Sequence, residues 1–284
     1  MEGIIIKGIG GFYYVLCDEK IYECKARGKF RHVKLTPMVG DEVSFDLEED
    51  TGQIINIHER KNFLIRPPVA NVTKAFIVTS LINPNINIDL LNNYILICNH
   101  YDIEPIVCFN KMDLIENSDE YAFIAIMLNK SDIGYLFIEA KNDHGLDPMK
   151  NMLKDNLSIL CGVSGTGKST IFNKLTGDDF MDVGDLSEKI TRGKNTTRHC
   201  QLASAYDGYI VDTPGFSSLS FDLSKMEIRD AFKEFKKYER NCKFRQCFHY
   251  KEPSCAVKKA VEDGELSKER YDFYVNKIEN SRRK

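Results

Sequence analysis

The sequence predicts a three-part chain: a small β-barrel over residues 1–65, an α/β domain with a mainly parallel sheet over residues 66–220, and a helical, metal-binding segment over residues 221–284. Three observations carry this. Short strands between turn signals fill the first 65 residues. From about Asn71 the pattern becomes strand then helix, repeated. After Ser220 the strand signals stop and cysteines cluster beside a histidine.

The chain has 284 residues, 43% apolar and 29% charged, which is ordinary globular composition. Its apolar runs, such as Ile4–Ile6 and Tyr94–Cys98, fall far short of the ~20 residues that span a bilayer. No basic region leads into an apolar stretch at the start, so neither a secretory signal nor a membrane partner is expected. Of nine cysteines, Cys17, Cys24, Cys98, Cys108, Cys161 and Cys200 are scattered singly, a pattern of reduced thiols in a cytoplasm. The net charge of −3 divides into −1 over residues 1–66, −7 over 67–220 and +5 over 221–284. A basic tail favours an anionic partner, and a solvated helical face accounts for it equally well.

In the first part, strands are expected at Gly11–Cys17, Lys20–Lys25, Glu42–Leu47 and Gln53–Ile57, broken by Gly10-Gly11, Asp18-Glu19, Asp41 and Thr51-Gly52. An oligonucleotide-binding (OB) barrel is a five-stranded fold of this size. Between Lys25 and Lys34, five lysines and arginines surround Phe30. Its ring either stacks on a base, with the cations on phosphates, or belongs to a hairpin core.

The second part reads as buried strands at Ala75–Thr79, Ile106–Phe109, Tyr135–Ile138, Ser158–Cys161 and Tyr209–Val211. Helical stretches lie at Ile88–Asn99, Glu120–Lys130 and Pro148–Lys154, the last with Asp147 as cap. Such alternation argues for a parallel sheet covered by helices. In the third part, Met226–Tyr238 and Ser267–Asn280 read as charged helices.

Gly162-Val163-Ser164-Gly165-Thr166-Gly167-Lys168-Ser169 matches G-x-x-x-x-G-K-[ST] in full, after the strand Ser158–Cys161 and before the helical stretch that Thr170 opens. Backbone N–H groups of such a loop wrap phosphates, and the helix N-terminus adds positive potential. Lys168 is expected to reach the β- and γ-phosphates and Ser169 to offer its hydroxyl to Mg²⁺. Asp212-Thr213-Pro214-Gly215 follows another apolar strand. Asp212 suits the Mg²⁺ side of the site, and Gly215 leaves room for a backbone N–H at the γ-phosphate.

Asn110-Lys111-Met112-Asp113, at a strand end, resembles the N-K-x-D guanine-reading motif of GTPases. An Asp carboxylate accepts both the ring N–H and the exocyclic amine of guanine, whereas adenine offers no such donor pair. Glu139-Ala140-Lys141 resembles the S-A-K loop that supports the base through the Ala backbone, and departs from it at Glu139. Ordinary GTPases run phosphate loop, switch Thr, D-x-x-G, N-K-x-D, S-A-K. Here the base-reading motifs come first, the order of a circularly permuted chain. Gly193–Arg198 resembles the permuted family's switch region, where Thr196 or Thr197 would meet Mg²⁺; the lesser alternative is a polar loop before the strand His199–Ala205.

Cys242-x4-Cys247-x-His249-x5-Cys255 places three thiols and an imidazole within 14 residues. Cys₃His is a known tetrahedral zinc set, and with no fourth position open the site is expected to be structural, supporting a basic stretch too short to fold alone.

Together these features resemble the circularly permuted GTPases that mature the small ribosomal subunit (the RsgA or YjeQ type), over nearly the whole chain. The resemblance implies an OB-like barrel, a permuted α/β P-loop GTPase domain and a helical zinc-binding domain. It also implies a cytoplasmic, monomeric enzyme with Mg²⁺-bound GTP and one zinc. Its expected partners are the small subunit, its rRNA and GTP/GDP, with hydrolysis stimulated by the subunit and driving release.

Overall fold

The computed structural model describes residues 1–28, 30, 35–48, 51–65, 67–117, 119–177, 200–212 and 223–281. Strands β1 (Glu2–Ile9), β2 (Phe12–Cys17), β3 (Lys20–Ala26), β4 (Glu42–Glu48) and β5 (Thr51–Ile57) close a barrel in the order β1-β2-β3-β5-β4. Antiparallel pairing of β4 with β1 closes it, Glu2 standing opposite Ser44, and β3 runs parallel to β5. This is the OB arrangement. The turns Gly10-Gly11 (φ 60 and 87) and Asp18-Glu19 (φ 47 and 64) have positive φ at both central residues, the geometry that matches hairpin twist.

Alternation along the strands puts Ile5, Val15, Cys24, Val43, Phe45 and Ile54 inside the barrel. Phe30 joins them at 5% exposure, so its ring is a core residue and not a base-stacking one. Of the cations around it, Lys29, Arg31 and Lys34 lie outside the described residues. The chain leaving β5 is fastened by Arg60, which donates to both oxygens of fully buried Asp41 at 2.7 and 2.8 Å and to the Thr36 carbonyl at 2.7 Å. Such a bidentate pair fixes direction as well as distance. A short hairpin follows, β6 (Phe63–Ile65) with β7 (Pro68–Ala70).

Strands β8 (Lys74–Ser80), β9 (Glu104–Asn110), β10 (Gly134–Phe137), β11 (Leu157–Cys161), β12 (Leu202–Ala205) and β13 (Gly208–Asp212) form a sheet in the order β10-β9-β8-β11-β13-β12. Pairs β9/β10 and β11/β13 are parallel, and β12 is an antiparallel edge. The apolar run Ile106–Phe109 of β9 and the full burial of β11 fit strands covered on both faces. Helices α1 (Ile88–His100), α2 (Ala122–Lys130), α3 (Asp147–Leu153) and α4 (Lys168–Thr176) alternate with these strands. Helices α5 (Lys225–Ala231), α6 (Lys236–Glu239), α7 (Ala256–Glu262) and α8 (Lys268–Asn280) follow them. Asp147 is the first residue of α3 rather than its cap, and its carboxylate accepts from Lys150 at 2.7 Å. Among the described residues no helix is long and apolar enough to cross a membrane.

Two compact units emerge. One comprises Met1–Lys74, Leu146–Cys161 and Lys168–Ser218; the other comprises Ala75–Gly145, Gly162–Gly167 and Leu219–Lys284. Within the second, the C-terminal helices pack on α1, with Leu96 sharing a core with Ile228, Phe232, Phe235, Phe273 and Tyr274. Helix α5 starts at a capping box of Ser224 and Glu227. The single helix expected over Met226–Tyr238 is broken at Phe232, whose ψ is 75. The break turns Phe232, Glu234 and Phe235 together into the interior. There Glu234 accepts from Arg270 Nε and Nη2 at 2.9 and 2.7 Å, and Arg270 Nη1 donates to Asn92 of α1 at 3.2 Å. Asn99 of α1 also donates to the Ala231 carbonyl at 2.9 Å.

Candidate functional site

In open α/β sheets ligands sit beyond the carboxyl ends of the strands. Asn110 ends β9, Cys161 ends β11, Asp212 ends β13, and Ala140 lies three residues beyond β10. The phosphate loop leaves β11 with Gly162, Gly165 and Gly167 at φ 136, 83 and 95, and Lys168, Ser169 and Thr170 form the first turn of α4. Thr166 is fully buried, its hydroxyl donating to the Val163 carbonyl at 3.0 Å.

Asn110 holds this loop to the base-reading side. Its Nδ2 donates to the Thr166 carbonyl at 2.9 Å, and its Oδ1 accepts the Ala140 N–H at 3.0 Å. One buried amide therefore ties together the phosphate loop, the end of β9 and the loop after β10. Gly167 is required by the same contact: a Cβ there would lie 2.2 Å from Asn110 Nδ2. Next in the chain, Lys111 is left-handed (φ 65) and its ammonium donates to the Asn83 carbonyl at 2.5 Å. Met112 donates to the Ile138 carbonyl at 3.3 Å, and Asp113 sits in the short 3₁₀ turn Met112–Leu114. Ala140 is buried, with Lys141 beside it in the turn Ala140–Asn142.

Glu139, the departure from S-A-K, braces that turn. Its carboxylate meets His144 Nδ1 at 3.1 Å and its N–H donates to the His144 carbonyl at 3.0 Å. Neither His144 nor Asn83 carries a motif, so only the fold reveals them. Thr196, Thr197 and Gly215, with Arg198, His199 and Phe216, lie outside the described residues, as does the side chain of Asp212.

The second constellation is the cysteine cluster. The ligand atoms of Cys242, Cys247, His249 and Cys255 all lie within 4.8 Å of one another. His249 Nδ1 is 3.6 Å from Cys242 Sγ and 3.4 Å from Cys255 Sγ, so Nδ1 faces the thiols. Burial, and then Arg229, push the imidazole down to about 4, which keeps it neutral and able to ligate. Burial pushes the Cys247 thiol up to about 12, the protonated form that a metal displaces. The loop is pinned from outside: Glu252 accepts the N–H groups of Phe248 and Tyr250 at 2.8 and 2.9 Å, and Tyr271 donates to the His249 carbonyl at 2.8 Å. Three thiols and one neutral imidazole converging on one point are a donor set for one zinc ion. By contrast, Cys24 and Cys98 are single thiols raised to about 11 and about 12 by burial, in keeping with packing residues.

A phosphate loop joined by a buried amide to a guanine-type reader, in permuted order and followed by a Cys₃His cluster, defines a circularly permuted P-loop GTPase. Residues 57–222 match the family described as RsgA GTPase, and residues 2–55 match the RsgA N-terminal domain. The chain belongs to the RsgA GTPase family. A relative from Clostridium novyi named small ribosomal subunit biogenesis GTPase RsgA is 51% identical over 281 residues, covering 98% of this chain and 97% of its own. One of the same name from Clostridium botulinum is 50% identical over 283 residues, with the same coverage of both chains. Among solved structures, YloQ, described as a circularly permuted GTPase, is 36% identical with TM-score 0.84, covering 100% of this chain and 96% of its own. YjeQ from Thermotoga maritima is 31% identical with TM-score 0.83, covering 99% of both.

Proposed function

We propose that this GTPase binds the nearly finished small ribosomal subunit and its rRNA in the cytoplasm as a monomer, and uses hydrolysis to leave. The observation that carries the nucleotide half is the Asn110 bridge, which joins base reading to phosphate binding in one unit. The ribosomal half rests on the names of full-length relatives at about half identity. In this reading the barrel (1–65) and the zinc domain (221–284) flank a GTPase domain (66–220) and supply RNA contacts.

Asp113 reads the guanine edge, Lys111 covers the base, and Ala140 and Lys141 support it. Gly162 through Thr170 hold the phosphates, with Lys168 meeting the negative charge that spreads over the β- and γ-oxygens. Mg²⁺, when bound, neutralises phosphate charge; Ser169, Asp212 and either Thr196 or Thr197 are the residues that would hold it. The Asp212–Gly215 motif is followed by Phe216, which has no group to orient the attacking water. Turnover by the free protein is therefore slow, and the subunit orders the switch that completes the site. Steady-state phosphate release with and without purified small subunits tests this. Strong stimulation is expected; fast turnover alone, or indifference to subunits, overturns it.

A further inference from the structure

Between the zinc ligands Cys242 and Cys247 the chain reads Lys243-Phe244-Arg245-Gln246. Over residues 236–251 the charged side chains are Lys236, Lys237, Arg240, Lys243, Arg245 and Lys251 against the single acid Glu239. Four aromatic rings punctuate this basic run. Tyr238, Phe248 and Tyr250 pack against the buried cluster of the C-terminal helices. Phe244 does not: it is 43% exposed on a loop whose two ends are metal ligands. Lys243 places its ammonium 5.9 Å from the ring centroid.

Beside this ring opens a cleft of about 620 Å³ lined by Phe244, Arg245, Gln246, Glu252 and Pro253. Glu252 is committed to the Phe248 and Tyr250 N–H groups, and those bonds keep its carboxyl below the usual range despite partial burial. With one acid, Glu252, and one cation, Arg245, in its lining, the cleft carries no net charge and suits a neutral, flat group. Arg245 lines the cleft, and Lys243 stands beside the Phe244 ring. A lone ring among cations offers no contiguous apolar patch of the size a protein partner uses. A ring with flanking cations is what an unpaired base with its phosphates requires.

We propose that Phe244 is a stacking platform for one unpaired base of single-stranded RNA, with Lys243, Arg245 and Lys251 meeting the flanking phosphates and Gln246 facing the base edge. This rests on the reading above that the partner carries RNA. It deepens that reading by naming the element of the zinc loop that is read and the form of RNA it takes.

The test uses full-length, zinc-loaded protein and a labelled ten-nucleotide single-stranded RNA of mixed sequence, with a blunt duplex of the same sequence as comparison. Fluorescence anisotropy is followed over a salt series, and zinc content and basal GTP turnover report the fold of each variant. Phe244→Ala is expected to weaken single-strand binding roughly tenfold while Phe244→Tyr stays within about threefold, because any π-face serves. Phe244→Ala leaves the slope of log affinity against log salt unchanged, whereas Lys251→Gln reduces it by about 0.7. Photo-crosslinking of wild-type protein to the RNA carrying 4-thiouridine provides a readout independent of variant folding, and an adduct within residues 243–246 is expected. Equal binding by wild type and Phe244→Ala, equal losses in the Ala and Tyr variants, equal losses on duplex, or adducts confined to other segments each overturn the proposal. Stimulation of turnover by small subunits is read separately, so failure here with stimulation intact removes the stacking site alone.

Discussion

Asn110 is the residue on which the nucleotide site turns, and its replacement gives the sharpest quantitative prediction. Asn110→Ala removes two hydrogen bonds and leaves the Thr166 carbonyl and the Ala140 N–H without that partner in a buried setting. Orphaning each group costs about 1–3 kcal/mol, so about 2–6 kcal/mol is at stake for the two. Strand β9 itself is held by Ile106, Val107, Cys108 and Phe109, all buried, so the strand stays in place. Its two loops relax towards water, and the cost returns when nucleotide draws them back. At 1.4 kcal/mol per decade the expected weakening of GTP is on the order of 30- to 20,000-fold, with little loss of global stability. Asn110→Asp keeps the acceptor for Ala140 and loses the donor for Thr166, and should fall between. Equilibrium titration with GTP by calorimetry, at matched zinc content, measures both variants. A dissociation constant for Asn110→Ala within about threefold of wild type refutes the bridging role, since even one orphaned group costs more.

Gly167→Ala should abolish GTP binding in the same titration, because its Cβ would lie 2.2 Å from Asn110 Nδ2 at a φ of 95; retained binding means the loop can rearrange. Asp113→Asn should lose GTP and gain xanthosine triphosphate, whose exchanged donor and acceptor pattern suits an amide, and competition binding decides it. Arg270→Ala strands the buried Glu234 carboxylate, so urea unfolding should show a loss of about 3–5 kcal/mol in the C-terminal transition. The double variant Arg270→Met with Glu234→Leu recovers most of that loss if burial of the lone charge is its cause. Metal analysis should find one zinc per chain, absent in Cys247→Ser. Because the free Cys247 thiol is raised to about 12, uptake must release protons, and affinity must fall as pH falls. Calorimetry in buffers of different ionisation enthalpy detects the release, and a buffer-independent heat counts against it.

The sequence was most legible where chemistry demands fixed spacing. The phosphate loop, Asn110–Asp113 and the four ligands at 242, 247, 249 and 255 need particular residue types at particular intervals, whatever surrounds them. A strand covered on both faces, such as β9, was legible because burial writes an unbroken apolar run, here Ile106–Phe109. Less legible was whatever depends on distant partners. Phe30 sits in a basic run, and its ring goes inward to join barrel residues from separate strands, Val15, Phe45 and Ile54 among them. Strand β1 escapes the alternation test because its pairing slips between Ile5 and Lys7. The break at Phe232 follows from Arg270, nearly forty residues on, which draws Glu234 inside. Asn110 was visible as part of a base-reading motif, yet its two hydrogen bonds go to the protein.

The packing of α1 also bears on how the protein can be dissected. It supplies Asn92, Leu96 and Asn99 to the C-terminal helices, so those helices and α1 share one interior. A truncated chain ending before Asn241 would keep Glu234 but lose Arg270, leaving a buried acid facing Asn92 with no cation. Truncation is therefore not subtraction: a shortened protein that turns over GTP poorly would report a damaged scaffold as readily as a missing RNA contact. Single replacements on the exposed part of the zinc loop, such as Phe244, leave α1 covered. They are the way to ask what this end of the molecule does.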